Sequence, residues 1–172
     1  QDALTHAQTR VGAQQPLNLG YKPEHVEVVH KGLVGVVTSG TSARVFAGAG
    51  YTSAGKTGTA QAVTIGQKDK YDAGKLSEYQ RDHALYMAYA PAENPKIAVA
   101  VVVENAGFGA ASAAPIARRV FDYWLLGQYP SEEDLAATQK GQTAAPIGKP
   151  RNKTEVPLID PKALTAGKTE KP

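Results

Sequence analysis

Cysteine is absent from the 172 residues, so neither a disulfide framework nor a thiolate metal site is available. The compartment stays open, because a protein of an oxidising space can simply lack the residue. Long apolar runs are missing too: the longest is Ile97 to Val103, far short of the ~20 residues a membrane-spanning helix needs. Charge of one sign is scarce, with 19 Lys and Arg against 16 Asp and Glu. The stretch from Pro130 onward is almost balanced as well, so no basic face is implied and nucleic acid is excluded as a partner. No group of side chains has metal-ligand spacing, and no cofactor is called for. The chain opens on Gln1 with no basic and apolar leader segment after it, which reads as a start removed by processing or truncation.

One domain, or part of one, fits this length. Residues 1–20 are polar, Gln-rich and without periodicity, a lead-in of no defined structure. From Pro23 a helix is expected: Pro suits the first turn, Glu24 suits the positive end of the dipole, and Val26, Val29, Leu33, Val36 and Val37 share a face. Gly40 would end it as a left-handed cap, and Thr41 to Phe46 fits one more turn. Ala60 to Ile65 reads as a strand, Gly66 to His83 as a charged loop with room for a helical turn, and Ala84 to Ala90 and Ile97 to Glu104 as two further strands, giving three consecutive antiparallel strands with Lys56-Thr57-Gly58 carried on the first. The Pro-rich link 91–96 is short enough to make that pair antiparallel. After the loop Gly107-Phe108-Gly109, Ser112 would cap a helix with Pro115 in its first turn. Ile116, Val120 and Trp124, with Phe121 beside them, would lie on the sheet, leaving Arg118 and Arg119 in water. Beyond Pro130, Pro, Lys, Thr, Ala and Gly dominate, so residues 130–172 are expected to be a disordered tail.

Ala54-Gly55-Lys56-Thr57-Gly58-Thr59-Ala60-Gln61 carries the chemistry, and it fits two motifs. Gly50-x4-Gly55-Lys56-Thr57 spells a phosphate-binding P-loop; Lys56-Thr57-Gly58 spells the K-T-G triad of serine acyl-transferases. A P-loop needs a strand before its first Gly and a helix opening at Lys-Thr. Gly58 and the β-type residues after it oppose that helix. In the K-T-G reading the Lys ammonium tunes protons beside the nucleophile and attracts the acyl donor's carboxylate. The Thr hydroxyls supply hydrogen bonds, Gly58 keeps the cleft open, and the Thr59 N–H stands where an oxyanion would develop.

K-T-G alone is a weak signal, and its context strengthens it. Gly40-Thr41-Ser42-Ala43-Arg44, Tyr51-Thr52-Ser53, Ala54 to Gln61, Arg81-Asp82-His83 and Ile97 to Asn105 together resemble the C-terminal part of class B penicillin-binding proteins. Within that class they are most similar to the elongation transpeptidases of the penicillin-binding protein 2 type. The resemblance covers roughly residues 21 to 127. It implies an α+β fold, with antiparallel strands and packed helices, as in the C-terminal lobe of the penicillin-binding/β-lactamase-like transpeptidases, over residues 21–129. It also implies a D,D-transpeptidase that joins peptidoglycan stem peptides through an acyl-serine and reacts with β-lactams. Lys56, Thr57 and Gly58 would be its catalytic residues here, and Thr59 its substrate-binding and oxyanion residue.

Such enzymes also carry S-x-x-K and S-x-N. No S-x-N occurs in this chain, and the one S-x-x-K, Ser53-Ala54-Gly55-Lys56, borrows the K-T-G lysine. Ser53 is rejected as nucleophile, because the family's nucleophile opens a helix. The resemblance therefore implies a C-terminal fragment, inactive and of low stability alone, whose N-terminal part supplies the nucleophile and a membrane anchor at the periplasmic face of the inner membrane. Membrane proteins of the elongation machinery are implied partners. A serine β-lactamase or D,D-carboxypeptidase fragment, a non-catalytic module that binds cell-wall peptide, and the P-loop protein are the alternatives. His83 reads as a structural hydrogen-bonding residue beside Arg81 and Asp82. His25 and His30 read as surface residues of the first helix, and Glu104 as a solvated strand-end acid.

Overall fold

The computed structural model describes residues 7, 12, 15, 17–63, 76–142, 144–152 and 154–156. Most of the lead-in, with His6, lies outside them, as do residues 64–75 and 157–172. Helix α1 (Pro23–Thr38) begins at its proline as the sequence predicts. It ends without a left-handed cap: the Ser39 and Gly40 N–H groups both donate to the Gly35 carbonyl, and φ at Gly40 is not positive. Crowding is what requires glycine there, since a Cβ would sit 2.7 Å from Val36 Cα. Only the C-terminal half of the predicted apolar stripe is covered. Val37 is buried and Leu33 and Val36 half-buried, whereas Val26 and Val29 are exposed. His30 is not a free surface residue, because its Nδ1 meets Tyr89 Oη at 2.9 Å.

One turn, α2 (Ala43–Phe46), leads to β1 (Ala54–Ala60). Lys56-Thr57-Gly58 lies on the first strand as expected, but the β-type stretch read over Ala60 to Ile65 is not its body, since Gln61 to Val63 follow without strand structure. Pairing overrides local propensity here. Residues 54–60 match β2 (His83–Ala90) in an antiparallel register that sets Lys56 against Met87, Thr57 against Tyr86, Gly58 against Leu85 and Thr59 against Ala84. A 3-10 turn at Glu78–Gln80 precedes β2. β3 (Ile97–Val103) pairs antiparallel with β2, so the order is β1-β2-β3 and β1 is an edge among the described residues.

The period of two in β2 places Ala84, Tyr86, Ala88 and Ala90 in the core. Against them lie α3 (Gly109–Ser112) and α4 (Ala114–Leu126). Pro115 stands in the first turn of α4 as predicted. Ser112 does not cap it, donating instead to the Ala106 carbonyl at 2.8 Å. The buried face of α4 is Ala114, Ala117, Arg118, Phe121 and Asp122, at helical spacings of three and four. The predicted face is therefore wrong by a rotation: Phe121 is buried, but Ile116, Val120 and Trp124 are exposed, Trp124 by 62%. Alanines on helix and sheet let the two approach closely, and Phe121 fills the remaining space between Phe46, at 6.3 Å, and Tyr51, at 6.0 Å between ring centroids. Burying such a ring contributes about 1.5–3 kcal/mol.

The expectation of a disordered tail from residue 130 also fails, as far as residue 152. Strands β4 (Gln128–Tyr129) and β5 (Arg151–Asn152) pair, and α5 (Glu132–Gln139) lies between them. Ser131 caps α5 by accepting from the Asp134 N–H at 2.9 Å, and Glu132, Glu133 and Asp134 occupy the first turn where negative charge is favoured. Apolar area is indeed small here. The fold is held instead by Arg119, whose guanidinium grips buried Asp134 through Nε at 2.9 Å and Nη2 at 2.7 Å. Arg119 is thus not in free water either. The sum is an α+β fold with helices packed on an antiparallel sheet, as the sequence implies.

Candidate active site

Lys56, Thr57 and Gly58 occupy the middle of β1, and no helix opens at Lys56. That removes the P-loop alternative, whose phosphate site is a helix N-terminus. Lys56 is exposed; its Nζ donates to the Thr57 carbonyl at 2.7 Å, and among the described residues no carboxylate pairs with it. Thr59, three residues further along the same strand, is exposed as well. An ammonium, hydroxyls and the unpaired backbone rim of an edge strand together form a surface that can accept an extended chain bearing an anion.

Thr57 is half-buried, and its Oγ1 lies 3.1 Å from Thr41 Oγ1 in the turn after α1. That turn is itself fastened: Ser42, fully buried, donates through Oγ to the Val36 carbonyl at 3.2 Å and meets Tyr86 Oη at 2.9 Å. Burial holds the Tyr86 phenol above its ordinary ionisation range, with the Ser42 hydrogen bond pulling it partly back. Glycines make room around this layer. A Cβ on Gly55 would lie 2.5 Å from Tyr86 Oη, and one on Gly109 would lie 2.2 Å from the Leu85 carbonyl oxygen and 2.6 Å from that of Gly58. The start of α3 therefore rests directly on the backbone of the K-T-G triad.

The approach to β1 is held from both sides. Tyr51 Oη donates to Asp122 Oδ1 at 2.9 Å, and Arg118, buried, meets both oxygens of Asp122 at 2.9 Å while donating to the carbonyls of Val45 and Ala47 at 3.1 Å. Burial, and next the Asp122 charge, hold the Tyr51 phenol far above its ordinary range. On the other side the Thr52 hydroxyl donates to Glu93 and accepts from the Ala92 N–H at 3.2 Å. Chiefly through that hydroxyl, the Glu93 carboxyl is held below the usual carboxylate range.

Ser53 is buried, and among the described residues its Oγ has no hydrogen-bond partner. His83 accepts from the Asn105 N–H through Nδ1 at 3.0 Å, the structural role read from the sequence. Asp82 is buried beside it, taking the Ala62 N–H on Oδ1 at 3.3 Å and the Gly107 N–H on its carbonyl at 2.8 Å. Glu104 is exposed, as expected. Sequence reasoning gave no roles to Thr41, Ser42 and Tyr86. The one signal for Thr41 and Ser42 was membership of Gly40-Thr41-Ser42-Ala43-Arg44, and Tyr86 carried none, since contacts 16 and 44 residues apart follow no local period.

The chain is similar to known proteins over most of its length. Residues 3–122 match the family described as the penicillin binding protein transpeptidase domain, so the match reaches into the lead-in. Peptidoglycan D,D-transpeptidase MrdA of Haemophilus influenzae is 44% identical over 109 residues, which is 62% of this chain and 17% of that protein. The Escherichia coli K12 protein of the same name is 38% identical over 121 residues, 69% of this chain and 19% of that one. Among solved structures, Pseudomonas aeruginosa PBP2 in complex with WCK 5153 superposes with a TM-score of 0.54 at 38% identity, over 69% of this chain and 24% of that chain. The Helicobacter pylori complex of PBP2 and MreC gives 0.50 at 25% identity, over 66% and 20%. The chain thus spans less than a quarter of the length of these relatives. It belongs to the penicillin-binding protein transpeptidase family, and its likeness within that family is to penicillin-binding protein 2.

Proposed function

We propose that this chain is the C-terminal part of a serine-type peptidoglycan D,D-transpeptidase of the penicillin-binding protein 2 type, and that β1 is one wall of its active site. The observation that carries the reading is a K-T-G triad in the middle of an exposed edge strand, with Lys56 and Thr59 open to solvent. A serine on the remaining part of the protein attacks the carbonyl between the two D-alanines of a stem peptide. The peptide bond breaks, the terminal D-alanine leaves with a proton on its nitrogen, and an acyl-serine remains. The amine of a neighbouring stem then takes the acyl group, and the serine regains its proton.

In that reaction the Lys56 ammonium receives the donor's terminal carboxylate, and the Thr57 hydroxyl shares it. Gly58 keeps the strand flat against the ligand, and the Thr59 N–H faces the oxyanion that forms on attack. β-Lactams enter the same place as acyl donors that do not leave. The serine, the S-x-N residues and an N-terminal anchor in the inner membrane belong to the rest of the protein, with catalysis on the periplasmic side. No helix among the described residues is long and apolar enough to cross a membrane. The H. pylori PBP2 solved together with MreC supports elongation-machinery proteins as partners.

Labelling of the complete protein with a fluorescent penicillin is the test. Lys56→Ala should lose most of its labelling rate, and the 172-residue chain alone should not label. A retained full rate in Lys56→Ala would sink the assignment. Saturable stem-peptide binding with no covalent adduct would indicate a binding module, and rapid release of the adduct to water a hydrolase.

A further inference from the structure

We infer that Thr41 is a positioning residue for the carboxylate-binding step: it fixes the direction of the Thr57 hydroxyl so that Thr57 offers its proton to the acyl donor. The inference rests on the function proposed above and adds a residue to it. The two Oγ1 atoms are 3.1 Å apart, and either can donate in the free protein. A bound carboxylate removes that choice. It only accepts, so Thr57, with one proton, must give that proton to the ligand and use a lone pair for Thr41. Thr41 then donates, and the pair becomes a short relay, Thr41 O–H to Thr57 O–H to carboxylate, in which each bond polarises the next.

The turn that carries Thr41 is built to hold this geometry. Gly40 fits against Val36 Cα where no side chain has room. The Ser42 N–H donates to the Val36 carbonyl at 3.1 Å, and the Ser42 hydroxyl meets Tyr86, the residue on β2 directly opposite Thr57. Turn and triad are therefore referenced to the same strand. Thr41 itself is exposed, so packing does not require it.

The test uses the complete protein as Thr41→Val, which keeps the shape and loses the hydroxyl, and Thr41→Ser, which keeps the hydroxyl. Second-order acylation rates are measured with a penicillin and with its methyl ester, beside the thermal midpoint. Losing one such hydrogen bond should slow acylation by the free acid about 3- to 10-fold in Thr41→Val. The ester rate and the midpoint should stay at wild-type values, and Thr41→Ser should restore the acid rate. Wild-type kinetics in Thr41→Val, an equal fall for acid and ester, or no rescue by serine would each overturn the assignment. If Lys56→Ala is crippled while Thr41→Val is not, only the role of Thr41 fails. Full labelling of Lys56→Ala overturns the reading of β1 and this inference with it.

Discussion

Arg118 is the residue on which the approach to the triad depends most. Its guanidinium joins Asp122 one turn on to the carbonyls of Val45 and Ala47, and Asp122 also receives Tyr51, three residues before β1. Removing one partner leaves a buried charge without compensation, so Arg118→Ala should cost about 3–5 kcal/mol in chemical denaturation. The double variant Arg118→Met with Asp122→Leu should lose less than either single change, and a fully additive loss would contradict this account. The buried phenols give a pH signature. Tyr51 and Tyr86 are both raised above their ordinary value of about 10. Folding thus holds their protons more tightly than the unfolded chain does. Their stabilising contribution is complete below that value and falls as pH climbs beyond it. Stability should decline above about pH 10, and Tyr86→Phe, compared at pH 8 and 11, should decline less steeply. An equal decline would point to other groups.

Between elements, the closest dependence is that of α3 on β1. Gly109 presses on the carbonyls of Leu85 and Gly58 at distances no Cβ tolerates, and the obstacles are backbone, which cannot swing away. Gly109→Ala should destabilise by more than the ~1 kcal/mol of an ordinary core change and should impair penicillin labelling of the complete protein through Gly58. Unchanged labelling would separate α3 from the site. How much of this was legible follows from the kind of signal. The strand pair, the proline starts of α1 and α4 and the K-T-G triad are local patterns, and the sequence displays them. The face of α4 was not legible, because Arg118 and Asp122 look like a solvated pair until their burial and the carbonyls they serve are known, while Trp124 looks like core. The same holds for β1, whose bounds come from register with β2 rather than from the β-branched residues after it. Asp134 looked like one more charge in a polar tail, since its partner Arg119 lies 15 residues away on another helix.

At the scale of the whole molecule the apolar surface is unevenly covered. Tyr21, Val26, Val28 and Val29 on and before α1, Val102 on β3, and Ile116, Val120 and Trp124 on α4 are all exposed. Exposed apolar patches of this kind mark surface that packs against something else. Trp124 makes the state of one patch measurable, since it is the chain's single tryptophan. In the dilute 172-residue chain its fluorescence should be red-shifted and readily quenched by acrylamide. In the complete protein, if the proposed N-terminal part covers α4, the same residue should be blue-shifted and protected, once other tryptophans have been replaced. A blue-shifted, protected Trp124 in the dilute chain would mean that α4 turns its Ile116-Val120-Trp124 face inward after all. In that case the rotation that buries Arg118 and Asp122, and with it the anchoring of Tyr51 ahead of the K-T-G strand, would be wrong.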